Sequence, residues 1–335
     1  MLKVCLLGHG GIGQSHRRAY AQLAEQNAPI QLVGICDIDP GKFTGDMAIN
    51  LNGAEGPGVG GYHCYTDLEE MLTKEQPDVI DICLPTYLHC RYTVMLLKRG
   101  YHVQCEKPMA LNPDECGQML AAAKESGKQL MIGMCLRFDP LYLELKKMID
   151  EETYGKVYEA HFERLSGLPG WGFEGWFRDY ARSGGVALDM HIHDVDMIRF
   201  LFGEPKAVSA VTGNNRAYCS MISSRFEYGD KQIFAVGDWA QSSSFPFKMA
   251  YRVNFERASV IMDGGRIRVC PEGEVAFDLV LEEKNRMAEE IAFFARVILG
   301  EEANTKNTPA DAAQSAAMIA KLMESAGNGG RPVVL

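Results

Sequence analysis

The chain has no excess of basic residues, and that absence excludes a class of partner at the outset. Lys and Arg number 34 against 44 Asp and Glu, a formal net charge of −10. Nucleic acid and anionic membrane surfaces both require a basic footprint, so neither is expected as a partner. No apolar run approaches the roughly 20 residues of a membrane span. Among the 10 cysteines there is no Cys-x-x-Cys pair, and no Cys/His cluster has zinc-site spacing. No metal is therefore expected. Cys5, Cys36, Cys83, Cys105 and Cys135 lie in or beside short apolar runs, where a free thiol behaves as a small hydrophobe. Internal repeats and low-complexity tracts are absent. The opening residues Met1–Leu7 run straight into glycines without a signal-peptide layout. A cytoplasmic protein is expected.

What is present is ordinary globular composition, 47% hydrophobic and 23% charged over 335 residues. At about 150 residues per domain that length suggests two domains. The first 135 residues alternate short apolar runs with helical patterns. The runs are Lys3–Leu7, Gln31–Cys36, Asp78–Leu84, Tyr101–Cys105 and Gln129–Met134. Such runs suit parallel strands covered on both faces. Between them lie a capping box at Thr66–Glu69 and the helix start Asn112-Pro113-Asp114-Glu115, stopped by Gly127. This alternation predicts a doubly wound α/β domain over residues 1–135. Residues 136–335 change rhythm, to seven successive strand patterns from Lys156–Arg164 to Arg266–Cys270 separated by short turns. They predict an α+β domain with a large, mostly antiparallel open sheet. One helix, Asp189 to Phe202, interrupts it, and two more, Lys284–Leu299 and Pro309–Ala326, finish the chain and can pack back on the first domain. Asn52–Gly61, with five glycines and a proline, reads as a surface loop.

Gly8-His9-Gly10-Gly11-Ile12-Gly13 matches G-x-G-x-x-G directly after the first strand and opening a helix. Glycines permit the tight turn and close approach to a pyrophosphate, and the helix N-terminus offers N–H groups to its oxygens. Asp37 ends the next strand, 24 positions past Gly13, where a carboxylate accepts from ribose hydroxyls. An anion there repels a 2′-phosphate, so NAD is favoured over NADP, and Asp39 reinforces this.

Glu106-Lys107-Pro108 follows a strand whose carboxyl end should line the ligand crevice. The second constellation runs from Gly184-Gly185 through Asp189, His191, His193, Asp194 and Asp196. On a continuous helix Asp189 and His193 share a face, while His191 points nearly opposite. His-x-His converges on one metal ion more readily from a strand, which disfavours a metallohydrolase. The aromatic segment Pro169–Tyr180 reads as a loop able to cover a crevice, with Trp176 offering an aromatic face and Arg178 and Tyr180 offering donors to a ligand. Its bland alternative is simple packing on the C-terminal sheet.

Taken together these stretches resemble the glucose–fructose oxidoreductase / inositol 2-dehydrogenase (Gfo/Idh/MocA) family over nearly the whole chain. The residues carrying the resemblance are Gly8–His16, Asp78–Thr86 with His89, His102–Pro108, and Gly184-Gly185 through Asp189 and His193. It implies a Rossmann domain that binds NAD through Gly8, Gly10, Gly11, Ile12, Gly13, Asp37, Pro85, Thr86, His89, Glu106 and Lys107. It implies that Lys107, before a proline often cis in relatives, Asp189 and His193 are the catalytic set. His193 then acts as general base, Lys107 stabilises the developing alkoxide and Asp189 orients. The expected substrate is a sugar, cyclitol or related polyol. The open sheet is expected to make a homodimer or homotetramer. Arg137 and His191 are further candidates for substrate contact, His191 standing where many relatives carry glycine. Two other readings stay open: a sugar-modifying or glycoside-cleaving enzyme using transient oxidation, and a non-catalytic dinucleotide-binding regulator.

Overall fold

The computed structural model describes residues 1–44 and 61–335. The glycine-rich stretch read as a surface loop lies outside the described residues except for Gly61. The chain divides into two compact units. Met1–Cys135, Trp171–Trp176 and Asn285–Ala313 form one, and Leu136–Gly170, Phe177–Lys284 and Gln314–Leu335 form the other. The part of the chain after residue 135 is thus shared between the units rather than forming one continuous second domain.

The first unit is built on six parallel strands: β1 (Leu2–Leu7), β2 (Ile30–Cys36), β3 (His63–Tyr65), β4 (Val79–Ile82), β5 (His102–Glu106) and β6 (Leu130–Gly133). Their order is β3-β2-β1-β4-β5-β6. Helices α1 (Gly11–Glu25), α2 (Leu68–Glu75), α3 (Thr86–Lys98) and α4 (Pro113–Ser126) connect them. Every residue of β4 and β6 is buried, as apolar strands covered on both faces require. Strand order reverses between β1 and β4, and in such sheets ligands bind outside the carboxyl ends at that switch point. The capping box forms one residue later than expected. Asp67, not Thr66, caps α2, its carboxylate accepting from the Glu70 amide at 2.8 Å. Asn112 caps α4 as expected, and Gly127 closes it at φ 66°.

The second unit opens with α5 (Pro140–Asp150) and β7 (Val157–Gly167), followed by short α6 (Tyr180–Ser183), α7 (Gly185–Asp189) and α8 (Ile192–Phe202). Then come β8 (Ala207–Gly213), β9 (Met221–Glu227), β10 (Gln232–Gln241), β11 (Lys248–Phe255), β12 (Ala258–Asp263), β13 (Arg266–Pro271) and β14 (Phe277–Asp278). α9 (Arg286–Ile298) belongs to the first unit, and α10 (Pro309–Gly327) and β15 (Val333–Val334) finish the chain. The sheet is nine-stranded, ordered β14-β13-β12-β11-β7-β10-β9-β8-β15. Its pairs are antiparallel except β7 with β10, which is parallel. A meander pattern cannot disclose that pair, because β10 returns beside β7 only after three helices and two strands. Burial alternates along β10, the signature of a sheet with one packed and one open face.

The single helix expected from Asp189 to Phe202 is in fact two. The chain breaks at Met190 and His191, where the amides of both residues reach back to the Val186 carbonyl, at 3.1 and 2.8 Å. Asp189 closes α7, and His193 is the second residue of α8. Their spacing is therefore not the i, i+4 relation of one continuous helix. No helix among the described residues is long and apolar enough to cross a membrane.

Candidate functional site

In the first unit the glycine loop joins β1 to α1, and each glycine has a separate physical reason. Gly8 sits at φ +98°, and a Cβ there would lie 2.6 Å from the Cys83 carbonyl oxygen. A Cβ on Gly13 would lie 2.1 Å from the Gly8 carbonyl oxygen, so helix and strand can approach this closely only without a side chain. Gly10 faces open space, with nothing within 4 Å of a Cβ. It is also the N-cap of α1, and no side chain caps the helix, so the opening amides are left for an anion. The Asp37 carboxylate accepts from the His9 amide at 2.7 Å and the Asp39 amide at 2.9 Å, which fixes it beside the loop. This glycine cradle, uncapped helix and oriented acid fit a dinucleotide.

At the carboxyl end of β5, Glu106 is buried and Lys107 half-buried, and the Lys107–Pro108 peptide is cis. Glu106 Oε2 accepts from the Lys107 amide at 3.2 Å, and Oε1 lies 2.9 Å from His16 Nε2. His89, 1% exposed, has its ring nitrogens 2.8 Å from the Pro108 carbonyl oxygen and 2.7 Å from that of Leu84. It thereby ties the Lys107 turn to the loop after β4, where Pro85 caps α3 and Thr86 begins it. His16, Asp81 and Cys83 have the composition of a metal site, but His16 and Asp81 are bonded to each other at 2.7 Å. A hydrogen-bond network explains them.

In the second unit Gly184 and Gly185 lie at φ +71° and +66°. A Cβ on Gly184 would meet Leu188 at 2.6 Å, and one on Gly185 the Cys219 carbonyl oxygen at 2.9 Å. Two glycines are thus required to open α7. From Gly185 to Arg199 every residue is buried except Asp189 and His193. The buried polar residues between and around them hold the helix in place. Arg164 on β7 grips the Asp194 carboxylate through two nitrogens, at 3.1 and 3.0 Å. Arg137 grips Asp196 the same way, at 2.8 Å on both oxygens. Ser315 donates to Asp196 as well, at 2.8 Å. Burial pushes the Asp194 carboxyl above its usual range against the pull of Arg164.

Sequence comparison adds the decisive observation. Residues 2–134 match the oxidoreductase family with an NAD-binding Rossmann fold, and residues 142–261 match the GFO/IDH/MocA C-terminal domain. The chain belongs to the GFO/IDH/MocA oxidoreductase family. D-glucoside 3-dehydrogenase of Escherichia coli (strain K12) is 28% identical over 241 residues, 71% of this chain and 64% of that protein. Inositol 2-dehydrogenase of Rhizobium meliloti (strain 1021) is 32% identical over 209 residues, 61% of this chain and 56% of that protein. The chain therefore spans less than two-thirds of the length of these curated relatives. Among solved structures, levoglucosan dehydrogenase in complex with NADH and levoglucosan superposes with a TM-score of 0.83, covering 99% of both chains at 19% identity. That likeness is one of fold.

Within this family frame, several expected site residues take other places. His191 is fully buried, its Nε2 2.8 Å from Ser224 Oγ. Ser224 gives its own proton to the Ala235 carbonyl, so His191 is the donor to Ser224. Burial, with Arg164 nearby, pushes the imidazole down to about 3. It is a neutral core residue, which corrects the reading of His191 as a substrate group. Arg137, 4% exposed, is committed to Asp196, which likewise corrects its reading as a substrate contact. Trp176 is 8% exposed, whereas Arg178 and Tyr180 are exposed, Tyr180 edge-on to Tyr218 at 4.7 Å. His89 lies between the Leu84 and Pro108 carbonyls; burial lowers its pKa, so the neutral ring donates its one N–H to one of them. No role for His16, Asp81 or Arg164, and no partner for Asp194, was read from the sequence. Polar residues inside otherwise apolar stretches were the available signal, but their partners lie 30 to 90 positions away.

Proposed function

We propose that the protein is an NAD-dependent dehydrogenase acting on a secondary alcohol of a sugar, cyclitol or related polyol. The observation that carries this reading is the exposure pattern from Gly185 to Arg199: in an otherwise buried stretch, only the Asp189 carboxylate and the His193 imidazole keep access to solvent. The family's relatives named for glucoside and inositol oxidation support the substrate class. NAD would be held by Gly8, Gly10, Gly11, Ile12 and Gly13, with Asp37 accepting from the ribose and Pro85 and Thr86 alongside. Asp37 disfavours a 2′-phosphate, hence NAD over NADP. When bound, the nicotinamide supplies the hydride-accepting carbon. His193 takes the hydroxyl proton as the alcohol is oxidised, a general-base role worth about 10²–10⁴-fold. The Lys107 ammonium stabilises the negative charge developing on the same oxygen. Asp189 orients a neighbouring hydroxyl. The open face of the nine-stranded sheet, which exposes Tyr158 and Ile261, would serve association into a homodimer or homotetramer, read by light scattering.

The test is a panel of inositols, aldoses, polyols and glycosides with NAD⁺ and NADP⁺ in parallel, read at the NADH absorbance. Stoichiometric NADH from one substrate class supports the dehydrogenase. A consumed substrate with no NADH accumulating points instead to transient oxidation. No reaction with any panel member, in a protein that still binds NAD⁺, would favour a non-catalytic role.

A further inference from the structure

Behind the Lys107 turn lies a group of buried side chains for which the proposed chemistry has no use. His16, on the second turn of α1, is 0% exposed and sits between two carboxylates. Its Nδ1 is 2.7 Å from Asp81 Oδ2 on β4, and its Nε2 is 2.9 Å from Glu106 Oε1 on β5. A carboxylate at each nitrogen makes both of them donors. Burial opposes the charge this requires, but Asp81 and Cys83 together outweigh it, and the imidazole titrates well above its usual range. Tyr20, one turn further along α1, donates to the same Asp81 oxygen at 2.9 Å. Glu106, ringed by His16, Lys107 and His89, stays below the usual carboxylate range although burial pushes the other way.

The arrangement has a direction. Asp81 and Tyr20 fix the His16 ring, and the ring fixes one oxygen of Glu106. The other oxygen accepts the backbone N–H of Lys107 at 3.2 Å. Gly133 on β6 leaves the room, since a Cβ there would stand 2.7 Å from Glu106 Oε1. On the far side of the lysine, His89 Nδ1 lies 2.8 Å from the Pro108 carbonyl oxygen. The residue that carries the ammonium is thus gripped at the amide before its side chain and flanked at the carbonyl of the next residue.

We propose that His16 is a positioning residue for Lys107, acting through the carboxylate of Glu106. The inference rests on the role given above to Lys107. Without the Nε2–H donor, Glu106 is a buried carboxylate lacking its main partner. It turns away or takes up a proton, and the Lys107 amide loses its acceptor. A shift of about 1 Å in a group that must meet a reacting oxygen costs up to about 10²-fold.

The test is a double-mutant cycle on the full-length protein, with His16→Asn and Lys107→Met made singly and together. Turnover is measured with the best substrate of the panel, and NAD⁺ affinity is measured separately by fluorescence titration. The expected result is a 10- to 100-fold loss of kcat for His16→Asn, with NAD⁺ affinity within about 3-fold. In the Lys107→Met background the same change should cost less than about 3-fold, because the lysine it positions is gone. A merely structural role would multiply the two losses, and that outcome overturns the inference while leaving the lysine's role intact. A Lys107→Met enzyme that turns over within a few-fold of wild type overturns both. Should His16→Asn fail to fold, Glu106→Gln in the two backgrounds reads the same cycle, with the same outcomes deciding.

Discussion

Glu290 gives the sharpest stability prediction, because its chemistry can be read without knowing the substrate. It lies on α9, 0% exposed, with one oxygen 3.2 Å from the Asn307 side-chain amide. Burial, reinforced by the charges of Glu106 and Asp81, pushes its pKa well above the usual range. The folded protein therefore keeps a proton that the unfolded chain releases above about pH 4.3. A raised folded pKa means stability that is full below the unfolded value and lost as pH climbs towards the folded one. Glu290→Gln keeps the size and the accepting oxygen and has no proton to lose. Its advantage over wild type should grow by up to about 1.4 kcal/mol for each pH unit, as long as the folded acid stays protonated. Between pH 5.5 and 7.5 the ceiling is about 2.7 kcal/mol, or roughly 5–11 °C in melting temperature for a unit of this size. His16 also loses stabilisation as pH rises, but it is common to both proteins and cancels in the difference. The assay is a pair of thermal melts at four or five pH values. A variant less stable than wild type at pH 7.5, or a difference that does not grow with pH, would mean that Glu290 is ionised and the buried network is wrongly described.

Three further outcomes follow from packing and charge. Gly185→Ala should destabilise by about 2–4 kcal/mol, combining left-handed backbone strain with overpacking against the Cys219 carbonyl, as read by a urea midpoint. Arg164→Met should cost about 3–5 kcal/mol, because it strands the buried Asp194 carboxylate; a loss under 1 kcal/mol would mean that the pair does not clamp α8. Asp37→Ser should weaken NAD⁺ binding by about 10- to 100-fold, the value of hydrogen bonds to a charged acceptor, and narrow the discrimination against NADP⁺. Titration with both dinucleotides checks it, and unchanged NAD⁺ affinity would remove Asp37 from the site.

Five of the six parallel strands were legible in the sequence because they are largely buried and read as short apolar runs. The glycine loop was legible because close approach admits no other residue at positions 8 and 13. Local signals stop where long-range contacts decide. β3 is three residues long and carries no pattern of its own. The break between α7 and α8 is not written in helix propensity: His191 turns inward to Ser224 on β9, and Gly237 leaves it room, a Cβ there standing 3.0 Å from the His191 Cβ. The same histidine looked functional in sequence because a buried, neutral imidazole and an exposed one share a letter. Arg137 misled in the same way, since its partner Asp196 lies 59 positions on. Asp189 and His193, by contrast, stand out once burial is known.

We have proposed that Lys107 and His193 serve one oxidation. That proposal is tested most directly by steady-state NADH formation with wild type, Lys107→Met and His193→Ala on the best substrate of the panel, beside NAD⁺ affinity for each. Both variants should lose at least about 10²-fold in turnover, with NAD⁺ affinity of His193→Ala within about 3-fold of wild type. Turnover within a few-fold of wild type in either variant would contradict it.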